Sequence, residues 1–190
     1  MLPDRRSQMS RQLLKDALIE LMKTRSLHDI SIIKLCEAAD VNRSTFYRHY
    51  DSPYALYDEI LQDVSADIYG IAESVPEGPH RIRELLTKVL TYLEQRRELM
   101  LVLLSDKGNI NIGERLSGFV SRMTDSDKTT ELAMYCTQFI TAGLTSIVWL
   151  WLNKEDRRTP REMANMLNAL LLHGVARAIA LTAKTEKDPT

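Results

Sequence analysis

The sequence predicts an all-α fold, with an N-terminal three-helix helix-turn-helix domain over residues 1–51 and a larger helical domain over residues 52–190. Three observations carry this. Apolar residues recur at spacings of three and four along nearly the whole chain, as in helices with one buried stripe. Only seven glycines and six prolines interrupt 190 residues, and no alternating run of β-branched and aromatic residues marks a strand. Charge is also unevenly divided: residues 1–50 hold nine Lys/Arg and six Asp/Glu, a balance of +3, while the rest holds 16 and 20, a balance of −4. A mildly basic head therefore precedes an acidic body, and only the head is drawn to phosphate.

Leu14, Leu18, Leu21 and Met22 define a first helix from about Ser7 to Thr24. Ser31 caps a short second helix that turns Ile32, Leu35, Cys36 and Ala39 inward and runs into Asp40-Val41-Asn42. A third helix follows from Asn42 to His49. Ser52 is a fitting N-cap for a fourth, with Pro53 at the first helical position, where its missing N–H costs nothing. That helix extends to about Ser74, where Val75-Pro76-Glu77-Gly78-Pro79 breaks the chain before Ile82, Leu85, Leu86, Val89, Leu90 and Leu93. Further helices are expected at about 97–105, 110–124, 129–153 and 160–183.

The informative string is SIIKLCEAADVNRSTFYRHY, Ser31 to Tyr50. A helix entering the major groove needs short polar or basic side chains near its N-terminus and an apolar face behind to hold it. Asn42, Arg43, Ser44 and Thr45 supply the first; Phe46 and Tyr50, four residues apart, supply the second. Arg43 has the reach for a guanine edge and Asn42 for an adenine edge or a phosphate, while Tyr47 and His49 suit flanking phosphates. Ser31 and Lys34, at the start of the second helix, complete the set of candidate DNA contacts. The bland alternative is that Arg43 and Arg48 merely solvate an exposed face.

NRSTFYRHY, preceded by a helix ending EAADV and by an amphipathic first helix, resembles the DNA-binding domain of tetracycline-repressor-like (TetR-family) regulators over roughly residues 8–65. The resemblance implies a three-helix head, a fourth linking helix and a helical body that dimerises. Two positions depart from the family pattern. Asp40 stands where the turn usually has Gly, a change the turn survives because Asp tolerates a left-handed backbone. Pro53 stands where a phosphate-binding Lys is usual, which removes one phosphate contact per subunit. EQRRELMLVLLSDKGN and FITAGLTSIVWLWLNKEDRRTPREMANML resemble the body of a subgroup that includes regulators working with a co-activator protein. Arg5 and Arg6, ahead of the first helix, have two readings: contact with the minor groove, or no contact at all.

The last two long helices are too apolar for a monomer's surface. Phe139, Ile147 and Trp149 on one, with Leu167, Leu170, Leu171 and the small Gly174 on the other, are expected in a two-fold four-helix interface. Such a homodimer presents two reading heads about 34–36 Å apart to a near-palindromic double-stranded operator. Tyr92, Met100, Leu104, Phe119, Met123 and Tyr135 are candidates to line an effector pocket, the alternative being ordinary core; His173 is read as a satisfied buried histidine. The body's signal is expected from a small molecule or a co-activator protein.

Other classes are weakly supported. No phosphate-binding glycine loop, zinc-spaced Cys/His cluster, HExxH or GxSxG occurs, so neither enzyme chemistry, metal nor cofactor is expected. Cys36 and Cys136 read as free thiols. MLPDRRSQMSRQLL has no apolar stretch behind its arginines, and Leu132 to Leu152 carries Gln138 and four Thr/Ser residues, so a cytoplasmic protein without a membrane span is expected. The rival reading is a helical adapter with a degenerate DNA-binding head; Asp40 and Pro53 favour it, and the joint presence of Asn42, Arg43, Thr45, Tyr47 and His49 opposes it.

Overall fold

A computed structural model describes residues 5–105 and 131–175, and among these every regular element is helical. In chain order they are α1 (Arg5–Met22), a 3-10 turn (Leu27–Asp29), α2 (Ile32–Ala39), α3 (Arg43–Tyr47), α4 (Pro53–Glu73), α5 (Arg81–Gln95), α6 (Arg97–Leu103), α7 (Glu131–Asn153) and α8 (Pro160–Leu170), which ends in a π turn (Leu171–Val175). The helix expected at 110–124 lies outside the described residues, as does the stretch beyond 175.

Two compact units are distinguishable, one of residues 5–67 with 102–105, the other of 68–101 with 131–175. The first thus takes in most of α4, which the residue pattern alone groups with the body. The reason is burial: Leu56, Tyr57, Ile60 and Leu61 of α4 are withdrawn from solvent, as are Leu14, Leu18 and Met22 of α1. Polar links add direction, since Arg11 and Lys15 of α1 pair with Glu59 and Asp63 of α4.

Within the head, α2 begins at Ser31, whose hydroxyl accepts the Lys34 N–H at 3.3 Å, the expected cap. Its apolar stripe Leu35, Cys36 and Ala39 is buried. The helix stops at Asp40, held in the left-handed region at φ 51°, ψ 44°. One residue on, the Val41 N–H returns to the Cys36 carbonyl at 3.0 Å, the six-to-one bond that closes a Schellman motif. The turn therefore forms with Asp in a place that glycine fills without steric cost. At the other side of the third helix, Ser52 accepts the Ala55 N–H at 3.2 Å and Pro53 opens α4, as expected.

The second unit is built from the end of α4, α5, most of α6, and α7 and α8. Ala72, Val75 and Leu85 form one small buried cluster, with Ile71 and Val89 against it, and α5 packs along α8. Directional bonds fix the loop between α7 and α8: the Trp151 indole donates to the Arg158 carbonyl at 2.7 Å, Arg97 Nε to the Leu152 carbonyl at 2.6 Å, and Arg157 Nε to Glu94 Oε1 at 3.0 Å. Thr159 and Glu162 then form a reciprocal capping box under Pro160. Within α7, Met134–Asn153 is long and apolar enough to cross a membrane by length and composition.

Replacing Asp40 with Gly relieves the left-handed strain at no loss of packing, since Asp40 is exposed. Asp40→Gly is expected to raise stability by up to about 1 kcal/mol, read as a higher urea midpoint at unchanged slope.

Candidate nucleic-acid interface

The third helix is only five residues long, Arg43–Tyr47, shorter than the expected Asn42 to His49. Asn42 is its extended N-cap and Arg48 its last turn. A helix this short has no stability of its own, so it is held from behind. Phe46 is 0% exposed and Tyr50 5%, with ring centroids 5.8 Å apart. Burying such a ring contributes about 2–3 kcal/mol.

The opposite face is open. Asn42, Arg43, Ser44, Tyr47 and Arg48 are exposed, and Thr45 and His49 are half-buried. Tyr47 stands 58% exposed with its ring edge-on to Phe46 at 5.7 Å, so an anchored residue directs an outward one. Lys34 and Ser31 of α2 are exposed too, although the Ser31 oxygen already accepts the Lys34 N–H. The residues singled out from the sequence thus lie together on the outward faces of two short helices. Cys36, close behind, is buried, and burial pushes its thiol up against the downward pull of Arg43, as suits an unreactive core thiol.

Two neighbours of this face were not found from sequence. The Ser7 hydroxyl lies 3.4 Å from His49 Nε2, and Arg11 Nε donates to the Tyr50 hydroxyl at 3.3 Å. Both bring the first two turns of α1 to the end of the recognition segment. An available signal was the pairing of basic Arg11 and Lys15 with acidic Glu59 and Asp63, each pair spaced i, i+4 on its own helix.

The body candidates divide differently. Tyr92 and Met100 are buried and Leu104 is half-buried, whereas Tyr135 is 62% exposed with its hydroxyl donating to Glu131 at 2.6 Å. Tyr135 thus stands on the surface of α7, one helical turn from Glu131. Phe119 and Met123 lie outside the described residues. Of the interface candidates, Phe139 is 70% exposed, Trp149, Leu170 and Gly174 are exposed, and Ile147 and Leu171 are half-buried. Leu167 is 2% exposed, because it sits on the inward stripe of α8 with Met163 and Ala164, so its side chain is used inside the subunit.

Residues 81–173 match the TetR-type transcriptional regulator C-terminal region. Among solved structures, a TetR transcriptional regulator from Streptococcus agalactiae is similar at TM-score 0.68 and 21% identity, covering 90% of this chain and 98% of its own. A fatty acid degradation regulator, FadR, from Bacillus halodurans is similar at TM-score 0.63 and 15% identity, with 87% and 95% covered. A TetR-family regulator from Streptomyces coelicolor gives 0.60 and 19%, with 94% and 83% covered. No curated protein matches the sequence.

The electrostatics behind the recognition segment centre on Glu59. Partial burial alone would push its carboxyl up, but hydrogen bonds from Lys15 and Arg11 outweigh this and hold it below the ordinary carboxylate range. A group with a lowered folded-state pKa contributes stability that is fully present above its unfolded value and is lost as pH falls through the folded one. Glu59→Gln is therefore expected to be less stable than the parent near pH 7. The difference should shrink as pH falls below the ordinary carboxylate range, measured as urea midpoints across that fall.

Proposed function

We propose that this protein, whose residues 81–173 match a TetR-type regulator C-terminal region and whose fold is similar to that of TetR regulators, belongs to the TetR family and is a sequence-specific DNA-binding regulator, a repressor acting as a homodimer on a near-palindromic operator in the cytoplasm. The observation that carries the reading is the two-sided third helix: Phe46 and Tyr50 buried behind, Asn42, Arg43, Ser44 and Tyr47 open in front. Arg43 reads a base edge in the major groove; Ser31, Lys34, Tyr47 and His49 take phosphates on either side, with Thr45 beside them. The formed turn at Asp40 supports this over an adapter with a decayed head, because the geometry that presents the helix is intact.

Dimerisation is supported by the apolar side chains left open on α7 and α8, among them Phe139, Trp149, Leu150, Met166, Leu170 and Leu172. Water-exposed rings and aliphatic chains of this size in sequence proximity favour a partner of like chemistry. The apolar length of α7 is then a protein-facing property. No catalytic role is assigned to the chain, and the signal that modulates it enters through the body, from a small molecule or a co-activator protein that binds the two states of the dimer unequally.

Three outcomes test the proposal. Arg43→Ala should cost about 1–3 kcal/mol in operator affinity and relax preference at one base pair of each half-site; duplexes selected from a random pool that keep the parental preference would refute base readout by Arg43. Tyr47→Phe should weaken all duplexes about equally. Trp149→Arg or Leu170→Arg should yield monomer or aggregate, and sedimentation of both variants as intact dimers would overturn the interface.

A further inference from the structure

A chain of ion pairs, with a hydrogen bond at each end, runs through the head from one end of the recognition segment to the middle of α4. The Tyr50 hydroxyl accepts from Arg11 Nε at 3.3 Å; Arg11 Nη2 meets Glu59 Oε1 at 2.6 Å; the same carboxylate oxygen receives Lys15 Nζ at 2.6 Å; and Lys15 reaches Asp63 Oδ2. Three elements are thereby joined: the segment following α3, α1 and α4.

We propose that Glu59 is a positioning residue for DNA binding, which through Arg11 and the Tyr50 hydroxyl sets the pose in which α3 is presented. This rests on the DNA-binding reading given above. The apolar core supplies most of the head's stability but little direction, because burial is indifferent to rotation of one smooth surface over another. Ion pairs of this kind contribute little net stability. The bond from Arg11 to the Tyr50 hydroxyl is directional, the Glu59 carboxylate holds the Arg11 guanidinium beside it by charge, and a binding constellation must be held to within about 0.5 Å to be productive. The five-residue helix is otherwise held by the rings of Phe46 and Tyr50, the turn from α2 and the Ser7–His49 contact. Tyr50 combines both roles, with a buried ring and a tethered hydroxyl. Glu59 is well placed to act: its side chain is 19% exposed, and the 17% exposed Lys15 fixes it from the other side, while Arg11, at 41%, carries the link to Tyr50.

The test uses the full chain and an operator duplex obtained by selection from random DNA. Glu59→Gln keeps the shape and removes the charge; Tyr50→Phe keeps the ring and removes the hydroxyl. Each is expected to stay folded and of parental oligomeric state while losing about ten-fold in operator affinity. The salt slope should also fall by about one for each phosphate that the displaced helix no longer reaches. Arg11→Met should cause a similar loss, and the double variant Arg11→Met/Glu59→Gln should be no worse than the poorer single one, as expected for members of one relay. A merely structural network would lower the melting temperature and leave the affinity and salt slope of the folded protein unchanged; that result, or additive losses in the double variant, overturns the proposal. Should Glu59→Gln not fold, Tyr50→Phe alone decides, parental affinity being the refuting outcome. If the parent itself shows no salt-dependent DNA affinity, the DNA-binding reading falls, an outcome separate from parental binding with unaffected variants.

Discussion

The burial of Phe46 and Tyr50 is the constraint on which the head depends. A helix of five residues forms no more than one intrahelical turn, and nucleating a turn costs more backbone entropy than its few hydrogen bonds return. Only side chains fixed from behind make it persist, and the bond from the Tyr50 N–H to the Phe46 carbonyl, just past the helix, brings both buried rings to one side. The polar residues between and before them are then forced outward. Helix formation, core packing and presentation of a reading face are here one event, because the same alternation of residue types drives all three.

Much of this was legible in the sequence because it depends on local chemistry. Ser31 caps α2 as its residue type suggests, and Ser52 and Pro53 open α4 in the expected manner. Asp40 takes the left-handed conformation that a short polar side chain permits. The exposed or half-buried status of Asn42, Arg43, Ser44, Thr45, Tyr47 and His49 follows from where Phe46 must go.

What escaped was set by packing between distant segments. Periodicity marks both Leu167 and Leu170 as apolar, but only the fit of α8 against α5 decides that Leu167 faces in and Leu170 out. Residue type alone does not reveal that Tyr135 stands at the surface of α7, where it donates to Glu131. The hydrogen bonds of Ser7 with His49 and of Arg11 with Tyr50 join residues some forty positions apart, a separation over which no local rule operates. The charge pattern on α1 and α4 held part of that information, because matched i, i+4 pairs of opposite sign on two helices have their most economical arrangement face to face.

The two tryptophans of the chain stand two residues apart on α7 in opposite surroundings. Trp151 is buried with its indole N–H bonded to the Arg158 carbonyl, while Trp149 is exposed on the apolar side. In a single subunit their emission spectra must therefore differ, the first short-wavelength and insensitive to collisional quenchers, the second long-wavelength and readily quenched. The molecule thus contains its own reference and its own sensor: covering α7 changes the light from one indole and leaves the other as a constant against which the change is read.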